Sequence, residues 1–454
     1  MKGIDLIRKA IKCETVERIP WVPFVGCHAG DLIGLKASEY LKSADHMTRG
    51  VSKAIELYQP DGIPVTFDLQ IEAEVLGCKL QWSDENPPAV ISHPLASGEI
   101  TIEDLEIPCS CKGRIPEVME ASRMIKDKYP DIALYGLITG PFTLALHLMG
   151  TDIFMKMFED PDEVHKLMGF CMDVGKKMSE YYISSGCDII AMVDPMTSQI
   201  DPMSFETFVS PYATELFNHI RDLDALSSFF VCGNAQQNIE VMCRCSPDNV
   251  SIDENIPLDY VKKIALENNI SFGGNMRLTV VLLMGSEEDS RREALQCMDT
   301  GGKTGFILAP GCDLAMKTPP ENLQAVTELV HNEKLQGELR ASEVKVSEVE
   351  KLDLSRHWQK EKVVIDVVTL DSSSCAPCQY MVDAAERASS SFGNDVILKE
   401  YRIKDKEGVR MMASLGVKNI PTIVIDGNIE FSSQIPPIQK IENKIRTYLD
   451  KKMK

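Results

Sequence analysis

The chain has 454 residues, of which 44% are hydrophobic and 26% are charged, and it carries a formal net charge of −20. Its length allows two or three domains, and its composition is ordinary for a soluble globular protein. The negative charge argues against nucleic acid and anionic membrane surfaces as partners, because both attract basic proteins, and no apolar run reaches the roughly 18–20 residues of a membrane span.

The chain contains fourteen cysteines, and their expected chemical state depends on the cellular compartment of the protein. The first residues have the pattern of an amphipathic helix and lack the apolar core of a signal peptide, so the sequence predicts a cytoplasmic protein in a reducing environment. In such a compartment cysteines are expected to serve as core residues, as metal ligands or as redox groups.

Short apolar runs of β type alternate with longer helical stretches as far as about residue 331. We predict eight strands, at Ile19–Phe24, Gly62–Phe67, Ala133–Ile138, Asp188–Val193, Ser227–Val231, Asn249–Ile252, Ile270–Gly274 and Gly305–Leu308. This alternation predicts an α/β fold of the (β/α)8 TIM barrel type for residues 1–331, and an open doubly wound sheet is the alternative.

Polar and thiol side chains follow these strands where each strand ends, and barrels of this type place their active sites at that end. Asp68 and Asp194 are predicted to line the pocket. Cys232 and Cys312 also follow predicted strands, and two thiols that meet over one pocket can hold a soft metal such as zinc. Either cysteine alone would more often be a buried core residue.

The composition changes at residues 332–361, where a charged stretch poor in aromatic residues predicts a helical linker. A second α/β domain is predicted at residues 362–454. Its Cys375-Ala-Pro-Cys378 sequence begins a helix, where the helix dipole favours the thiolate of Cys375 and Cys378 can resolve a mixed disulfide. Half of a metal site and an inert core pair are the alternatives.

This second domain resembles thioredoxin and the small glutaredoxin-like proteins. The resemblance rests on the order strand, Cys375-x-x-Cys378, helix, and on Ile420-Pro421-Thr422 ahead of another strand. It implies a thioredoxin-like domain in which Pro421 is a cis proline that packs against the active disulfide. It also implies that Cys375 and Cys378 carry out redox exchange.

Residues 1–331 resemble the uroporphyrinogen decarboxylase superfamily over nearly their whole length. The matching motifs are Glu17-Arg18-Ile19-Pro20, Phe67-Asp68, Glu72-x-Glu74-x-x-Gly77, Gly140-Pro141-Phe142-Thr143-Leu144, Asp194-Pro195, and Gly311-Cys312 leading into Thr318-Pro319-Pro320-Glu321-Asn322. The resemblance implies a TIM barrel with its pocket at the carboxyl ends of the strands. True decarboxylases carry an arginine-rich loop after the first strand, but residues 24–31 contain no arginine to bind the carboxylates of a porphyrinogen.

The chain is more similar to the corrinoid-dependent branch, the methylcobamide:coenzyme M methyltransferases. In that branch a His-x-Cys sequence and a later cysteine hold zinc, which binds the thiol substrate as a thiolate. Cys232 and Cys312 match the two cysteines, but Phe230 stands in the place of the histidine. We predict His28 as the third zinc ligand. The alternatives for this ligand are Cys27, His147 and Glu254.

The resulting main prediction is a methyltransferase that moves a methyl group between a corrinoid, supplied by a partner protein, and a small thiol. Its alternatives are uroporphyrinogen decarboxylase-type tetrapyrrole chemistry, with Asp68 stabilising a protonated pyrrole, and a non-catalytic corrinoid-binding barrel coupled to a thiol–disulfide oxidoreductase. The predicted catalytic residues are Asp68, His147, Asp194, Cys375, Cys378 and Pro421. The predicted corrinoid contacts are Gly140, Asn275 and Met276. His147 is equally compatible with a core histidine, and Asp194 with a cap of the helix that follows it.

Overall fold

The computed structural model describes residues 2–98, 100–342, 352–358, 362–372 and 375–452. The chain separates into two compact units, Met1–Ala341 and Ser342–Lys454. Within the described part of the chain, no helix is both long enough and apolar enough to cross a membrane.

The predicted linker at residues 332–361 is described only in part. Residues Glu333–Ala341 form a helix that belongs to the first unit, and Ser355–Trp358 form a short 3-10 helix. Residues 343–351 and 359–361 lie outside the described residues.

The first unit is built on a parallel sheet of seven strands. These are β1 (Gly62–Pro64), β2 (Ala133–Thr139), β3 (Ile189–Val193), β4 (Leu226–Val231), β5 (Asn249–Ile252), β6 (Ser271–Met276) and β7 (Phe306–Pro310). They are hydrogen-bonded in chain order, so each strand lies beside the one before it, as successive βα units require. Nearly all of their residues are buried, which explains why most of the strands are rich in apolar residues, with Asn249, Ser251 and Asn275 as buried polar exceptions.

The predicted first strand, Ile19–Phe24, is reduced to a single parallel bridge between Trp21 and Leu308 of β7. Val22 N donates to Leu308 O at 2.9 Å, but Pro20 and Pro23 have no backbone N–H, so the ladder does not extend beyond this bridge. The prediction of a full strand is therefore corrected here. The segment nevertheless lies at the position of the eighth strand.

This bridge closes the ring of strands. On one side Leu308 N donates to Pro20 O at 2.9 Å, and on the other Asp61 N, directly before β1, donates to Trp21 O at 2.9 Å. The Asp61 carboxylate also accepts from Trp21 N at 2.9 Å and pairs with Arg18 at 2.7 Å. The strands therefore form the barrel that the sequence predicts.

Helices connect the strands and cover the outside of the sheet. In the first unit they span Gly3–Ile11, His28–Asp31, Ala37–Tyr40, Ala44–Tyr58, Ile71–Val75, Ile115–Lys128, Pro141–Met149, Ile153–Glu159, Pro161–Ser184, Pro202–Phe208, Ser210–Asp222, Ile239–Arg244, Leu258–Glu267, Glu287–Gly301, Pro320–His331 and Glu333–Ala341. A π-helical turn spans Leu278–Leu283, and a short antiparallel ribbon pairs Leu80–Gln81 with Ala89–Val90.

The interior of the barrel is filled by one cluster of buried apolar side chains. Its strand members are Ala133, Tyr135, Leu137, Ile189, Ala191, Val193, Phe230, Ile307 and Ala309. Every second residue of a strand contributes, because successive side chains point to opposite faces of a sheet. Cys232 and Cys312 pack against this cluster and are only partly buried.

The second unit contains a four-stranded sheet and three longer helices. In chain order its elements are β8 (Val363–Thr369), helix Ala376–Ser390, β9 (Val396–Arg402), helix Lys406–Leu415, β10 (Thr422–Ile425), β11 (Asn428–Ser432) and helix Ile438–Lys452. The strand order is β9-β8-β10-β11, in which β8 and β9 are parallel and the other two pairs are antiparallel. Its core includes Ile365, Met381, Ile423 and Ile441.

Candidate active site at the barrel mouth

Cys232 and Cys312 meet over the carboxyl end of the barrel. Cys232 directly follows β4, and Cys312 lies two residues after β7. Strands β5 and β6 separate β4 from β7 in the sheet, so the two loops converge across the ring. The Sγ atoms are 2.8 Å apart, and both residues are partly exposed. The two thiols therefore share one position at the barrel mouth.

Three phenylalanine rings form an apolar floor under the two thiols. The ring centroid of Phe230 lies 5.1 Å from that of Phe24 and 5.7 Å from that of Phe67. All three belong to the interior cluster against which Cys232 and Cys312 pack. Phe230 occupies the position at which the resemblance implies a histidine, and its ring offers a metal no lone pair. The floor of this site is thus hydrocarbon.

Acidic side chains lie close to the thiol pair. The hydrogen bond with Cys312, burial, and the charges of Asp253 and Asp313 raise the pKa of Cys232 well above its usual range. Burial also raises the pKa of Asp253, and burial together with the charge of Asp253 raises the pKa of Glu254 to about 8. The barrel mouth therefore holds a thiol and a carboxylic acid that keep their protons near neutral pH.

His28 is a core histidine and not a ligand at this site. Its ring is fully buried, with Nδ1 3.0 Å from the carbonyl oxygen of Met316 and Nε2 2.7 Å from the hydroxyl of Tyr58. Since the carbonyl can only accept, Nδ1 carries the proton and Nε2 accepts from the tyrosine. Burial lowers the pKa of His28, which keeps the ring neutral. Both nitrogens are thus occupied, and the prediction of His28 as third zinc ligand is corrected.

The side chains around the thiol pair do not fit the zinc site that the resemblance implies. A catalytic zinc takes three protein ligands. Among the residues described, no three histidine, cysteine, aspartate or glutamate side chains are arranged to hold a metal ion. Of the alternative third ligands, Cys27 and His147 are buried, and the Glu254 carboxylate accepts a hydrogen bond from Leu278 N at 2.6 Å.

Asp68 belongs to an ion-pair network that is centred on the buried Arg114. Its carboxylate contacts the guanidinium of Arg114 and accepts a hydrogen bond from Gln70 N at 2.9 Å. Arg114 Nε also donates to Glu74 at 2.7 Å. The charge of Asp68 is therefore already balanced. No motif marks Arg114, which lies 46 residues further along the chain, so sequence reasoning missed this partner.

Asp194 caps the N-terminus of the helix Pro141–Met149. Its Oδ1 accepts from Thr143 N at 2.8 Å and from Thr143 Oγ1 at 2.6 Å, and its Oδ2 accepts from Phe142 N at 3.1 Å. The capped helix precedes Asp194 in the chain, which corrects the alternative of a cap on the helix that follows. Burial raises the pKa of Asp194 to about 6, even though these hydrogen bonds act in the opposite direction.

Gly140 packs against Asp194 and leaves no room for a ligand between them. A Cβ at position 140 would lie 2.3 Å from the Cβ of Asp194 and 2.4 Å from its Cγ. The φ of Gly140 is −63°, which any residue adopts, so this close approach alone requires glycine. The predicted corrinoid contact at Gly140 is corrected to a packing role.

His147 is buried within the helix Pro141–Met149. Burial and the neighbouring His93 lower its pKa to about 3, so the ring is neutral. Its Nδ1 makes no hydrogen bond to any residue that the structure describes. The backbone carbonyl of His147 accepts from His93 Nδ1 at 2.9 Å and from Cys78 Sγ at 3.4 Å. The burial of His147 favours the core-histidine alternative, and its catalytic role stays a prediction.

Asn275 and Met276 end strand β6 inside the protein. Met276 is fully buried. Asn275 Nδ2 donates to the carbonyl oxygens of Asp253 at 3.2 Å and Ile256 at 2.7 Å, which fixes the loop after β5. Both side chains are engaged in the barrel itself, and their contacts with a corrinoid stay a prediction.

In the second unit Cys375 and Cys378 are joined by a disulfide. Cys375 is the N-cap of helix Ala376–Ser390 and is partly exposed, whereas Cys378 is fully buried. The Ile420–Pro421 peptide bond is cis and directly precedes β10. One sulfur is thus open to a reactant and the other is shielded.

Two further cysteine pairs differ from each other. Cys109 and Cys111 form a disulfide in an exposed loop, although the sequence does not predict a site there. Cys243 and Cys245 are buried free thiols.

The family model for uroporphyrinogen decarboxylase (URO-D) matches residues 2–333. The chain belongs to the uroporphyrinogen decarboxylase family. The match to this family covers the barrel and ends before the second unit begins.

Relatives of this uroporphyrinogen decarboxylase family member include both methyltransferases and decarboxylases. A methylcobamide:CoM methyltransferase MtbA of Methanosarcina acetivorans is 27% identical over 339 residues, which cover 73% of this chain and 98% of the relative. A methylcobamide:CoM methyltransferase MtaA of Methanosarcina barkeri is 25% identical and covers 65% and 87%. A uroporphyrinogen decarboxylase of Trichodesmium erythraeum is 26% identical and covers 59% and 76%.

Among solved structures, a methyltransferase from Methanosarcina mazei has the same fold. It superposes with a TM-score of 0.67 at 24% identity and covers 73% of this chain and 98% of its own.

Proposed function

We propose that the first unit transfers a methyl group between a corrinoid, carried by a partner protein, and a small thiol. Its similarity to a methylcobamide:CoM methyltransferase over 98% of that protein supports this activity. The observation that carries the proposal is the meeting of Cys232 and Cys312 at the barrel mouth, with their Sγ atoms 2.8 Å apart. Barrels of this fold bind their substrates at that end of the strands.

The chain's own contribution would be a sulfur-lined surface with one hydrogen-bond donor. The hydrogen bond with Cys312, burial and nearby carboxylates raise the pKa of Cys232, so that it keeps its proton. When a substrate thiolate lies beside it, this S–H can leave its hydrogen bond with Cys312 and donate to the substrate sulfur, which stabilises the thiolate that is the nucleophile in methyl transfer. The apolar floor around Phe230 excludes water from below and strengthens such a bond. The corrinoid, when bound, supplies the methyl group.

Zinc takes no step in this proposal. Cys232 and Cys312 are two ligands where a catalytic zinc uses three. The position of the missing imidazole is filled by Phe230, and both nitrogens of His28 are used elsewhere.

The free thiols of the barrel suit a reducing, cytoplasmic compartment.

Decarboxylation of a tetrapyrrole is the weaker candidate. Asp68, which would have to stabilise a protonated pyrrole, is buried and paired with Arg114. Residues 24–31 offer no arginine to substrate carboxylates. The decarboxylase of Trichodesmium also matches a smaller share of this chain than MtbA does.

For the second unit we propose a thioredoxin-like domain that carries out thiol–disulfide exchange. Three features support this: a β-α-β-α-β-β-α order, Cys375 partly exposed at a helix N-terminus, and a cis Pro421 before β10. The helix N-terminus favours the thiolate of Cys375, and Cys378 lies one turn away to resolve a mixed disulfide.

Methyl transfer can be tested with the reduced full-length chain, methylcobalamin and coenzyme M. We expect the methylated thiol to form, as measured by mass spectrometry, at a rate proportional to protein. Cys232→Ser and Cys312→Ser should each abolish most of this rate. Cys13→Ser is the matched control, because Cys13 is another partly exposed free thiol and lies beside Gly305, at the opposite end of β7.

Two results would count against the methyltransferase proposal. One is the absence of turnover above the protein-free rate with every thiol supplied. The other is equal turnover by the wild-type chain and the Cys232→Ser/Cys312→Ser double variant. Turnover of uroporphyrinogen in place of methyl transfer would favour the decarboxylase alternative.

A further inference from the structure

Among the described residues no third side chain completes a metal site at the cysteine pair of the barrel mouth, and the two sulfurs are close to bonding distance. We propose that Cys232 and Cys312 form a reversible disulfide across the barrel mouth. This makes the barrel a second redox site of the chain, with protein or small-molecule disulfides as its reactants. The inference concerns the two sulfurs themselves, and only its effect on activity rests on the proposed function.

The two sulfurs already lie close to the distance of a covalent bond. Their Sγ atoms are 2.8 Å apart, and a disulfide bond of about 2.05 Å requires a further approach of only about 0.8 Å. Each cysteine lies in a loop just beyond its strand, next to a glycine, and Gly233 has a φ of +85° that few other residues adopt. Closure therefore moves two loop ends and leaves β4 and β7 in place.

Cys232 and Cys312 are also accessible to a disulfide reactant in solution. Most free cysteines of the first unit are buried, and a disulfide reactant cannot reach them. Of the described free cysteines, Cys13, Cys232 and Cys312 are partly exposed. Cys13 lies at the other end of the barrel, so the two accessible thiols that can pair are those at the mouth. Exchange requires this access as well as a nearby second thiol.

The surroundings of the pair favour an uncharged product. The floor of Phe24, Phe67 and Phe230 is hydrocarbon, and the charges of Asp253 and Asp313 oppose the formation of thiolates at Cys232. A disulfide carries no charge, so neither the floor nor the carboxylates disfavour it. By contrast, two thiolates held together without a cation would be costly here.

The two cysteines would exchange with an incoming disulfide in two steps. Cys312, as thiolate, attacks one sulfur of the incoming disulfide, and the other sulfur leaves as a thiolate. Cys232 loses its proton and attacks the mixed disulfide at Cys312, which releases the second thiolate. The two protons from Cys232 and Cys312 end on the two leaving thiols, and two electrons pass to the reactant. The oxidant is thus a disulfide, and the chain holds one at Cys375–Cys378.

Closure of this bond would switch off methyl transfer in the proposed function. The oxidised barrel has no S–H at Cys232 to donate to a thiolate, and neither sulfur is free. Reduction restores both thiols. A methyltransferase that needs free thiols would then be active only in a reducing environment.

The test uses the full-length chain equilibrated with mixtures of reduced and oxidised glutathione. Free thiols are alkylated, the chain is digested, and peptides are mapped by mass spectrometry. We expect a cross-linked pair of peptides containing Cys232 and Cys312, two hydrogens lighter than the reduced pair, which disappears with dithiothreitol. The cross-link should be absent in Cys312→Ser and present in Cys13→Ser.

Two outcomes would overturn the inference. They are full alkylation of Cys232 and Cys312 at every glutathione ratio, and mixed disulfides with glutathione at both positions without a cross-link. Peptide mapping needs no turnover, so the two proposals can fail separately. If the chain forms the cross-link but transfers no methyl group when it is reduced, only the proposed function is contradicted. If the chain transfers methyl groups but cannot form the cross-link, only the disulfide inference is contradicted.

Discussion

The carboxylate of Asp194 and the side chain of Thr143 join two neighbouring strand ends of the barrel. Thr143 donates to the same oxygen of Asp194 twice, from its backbone N at 2.8 Å and from Oγ1 at 2.6 Å. Thr143 Oγ1 in turn accepts from Met196 N at 3.1 Å. The loops after β2 and β3 are thus fixed to each other by one buried carboxylate.

Asp194→Asn should change the pH dependence of stability in a defined direction. Burial raises the pKa of Asp194 to about 6, whereas an unfolded aspartate titrates near about 3.9. Between these values the folded state holds the proton that the unfolded state has lost, so the contribution of Asp194 to stability falls as the pH rises, by roughly 2–3 kcal/mol in all.

Urea unfolding of both proteins from about pH 4 to about pH 7 measures this effect. The unfolding free energy of Asp194→Asn minus that of the wild type should increase over this range. Other buried carboxyl groups cancel in the difference. A constant or decreasing difference would show that Asp194 is not the group responsible.

Gly140→Ala should destabilise the barrel, since the added Cβ would lie 2.3 Å from the Cβ of Asp194. We expect a loss of about 1–3 kcal/mol, typical of overpacking in a rigid core, measured as a lower Tm. Gly169→Ala is the control, because its nearest neighbour is Tyr212 at 3.9 Å and alanine favours the helix around it. A Gly140→Ala protein as stable as the control would leave the predicted ligand contact at Gly140 open again.

Arg114→Met should cost far more than the loss of an exposed arginine in the same region. It leaves the buried Asp68 carboxylate without its cation, and breaking such a pair from one side costs about 3–5 kcal/mol. Arg123→Met removes an exposed pair with Glu120, which is worth about 1 kcal/mol or less. Unfolding free energies of the two variants measure the difference. Similar losses would mean that Asp68 does not depend on Arg114.

Phe230→His tests whether Phe230 prevents the thiol pair from binding a metal. Position 230 lies two residues before Cys232 and faces the barrel interior, so an imidazole there would point to the side of the sheet that carries the thiols. We expect this variant to retain zinc after dialysis, measured by elemental analysis, while the wild type does not. Phe230→Leu keeps the floor apolar and should also bind none. Equal zinc in all three proteins would contradict the role given to Phe230.

After reduction of the second unit's disulfide, iodoacetamide should modify Cys375 before Cys378. Cys375 is partly exposed at the N-terminus of helix Ala376–Ser390, where backbone N–H groups favour the thiolate, and Cys378 is fully buried. A time course of alkylation with peptide mapping measures both rates in the full chain. Faster modification of Cys378 would reverse the roles proposed for the two thiols.

The strands could be located from the sequence because they are buried on both faces. Ala133–Thr139 is an almost continuous apolar run and Asn249–Ile252 alternates polar and apolar residues, and the sequence predicts the ends of both strands within one residue. Prolines explain the exception at Ile19–Phe24, because Pro20 and Pro23 lack two of the N–H donors of a regular strand.

The partners of individual polar side chains could not be predicted, because they are set by packing between distant segments. Arg114 reaches Asp68 from a later loop, and His28 finds Tyr58 and Met316 in two different parts of the chain. A residue's position at a strand end indicates that it lies near the mouth. It does not indicate whether a buried neighbour already occupies its polar atoms.

The bridge between Trp21 and Leu308 imposes an order on how the barrel is made. The segment around Trp21 is synthesised well before β7, which emerges only when the first unit is almost complete. Until then β1 and the growing sheet both present unpaired edges, which are prone to associate with other chains. We therefore expect the nascent barrel to be prone to such association throughout its synthesis, until β7 pairs with the segment around Trp21.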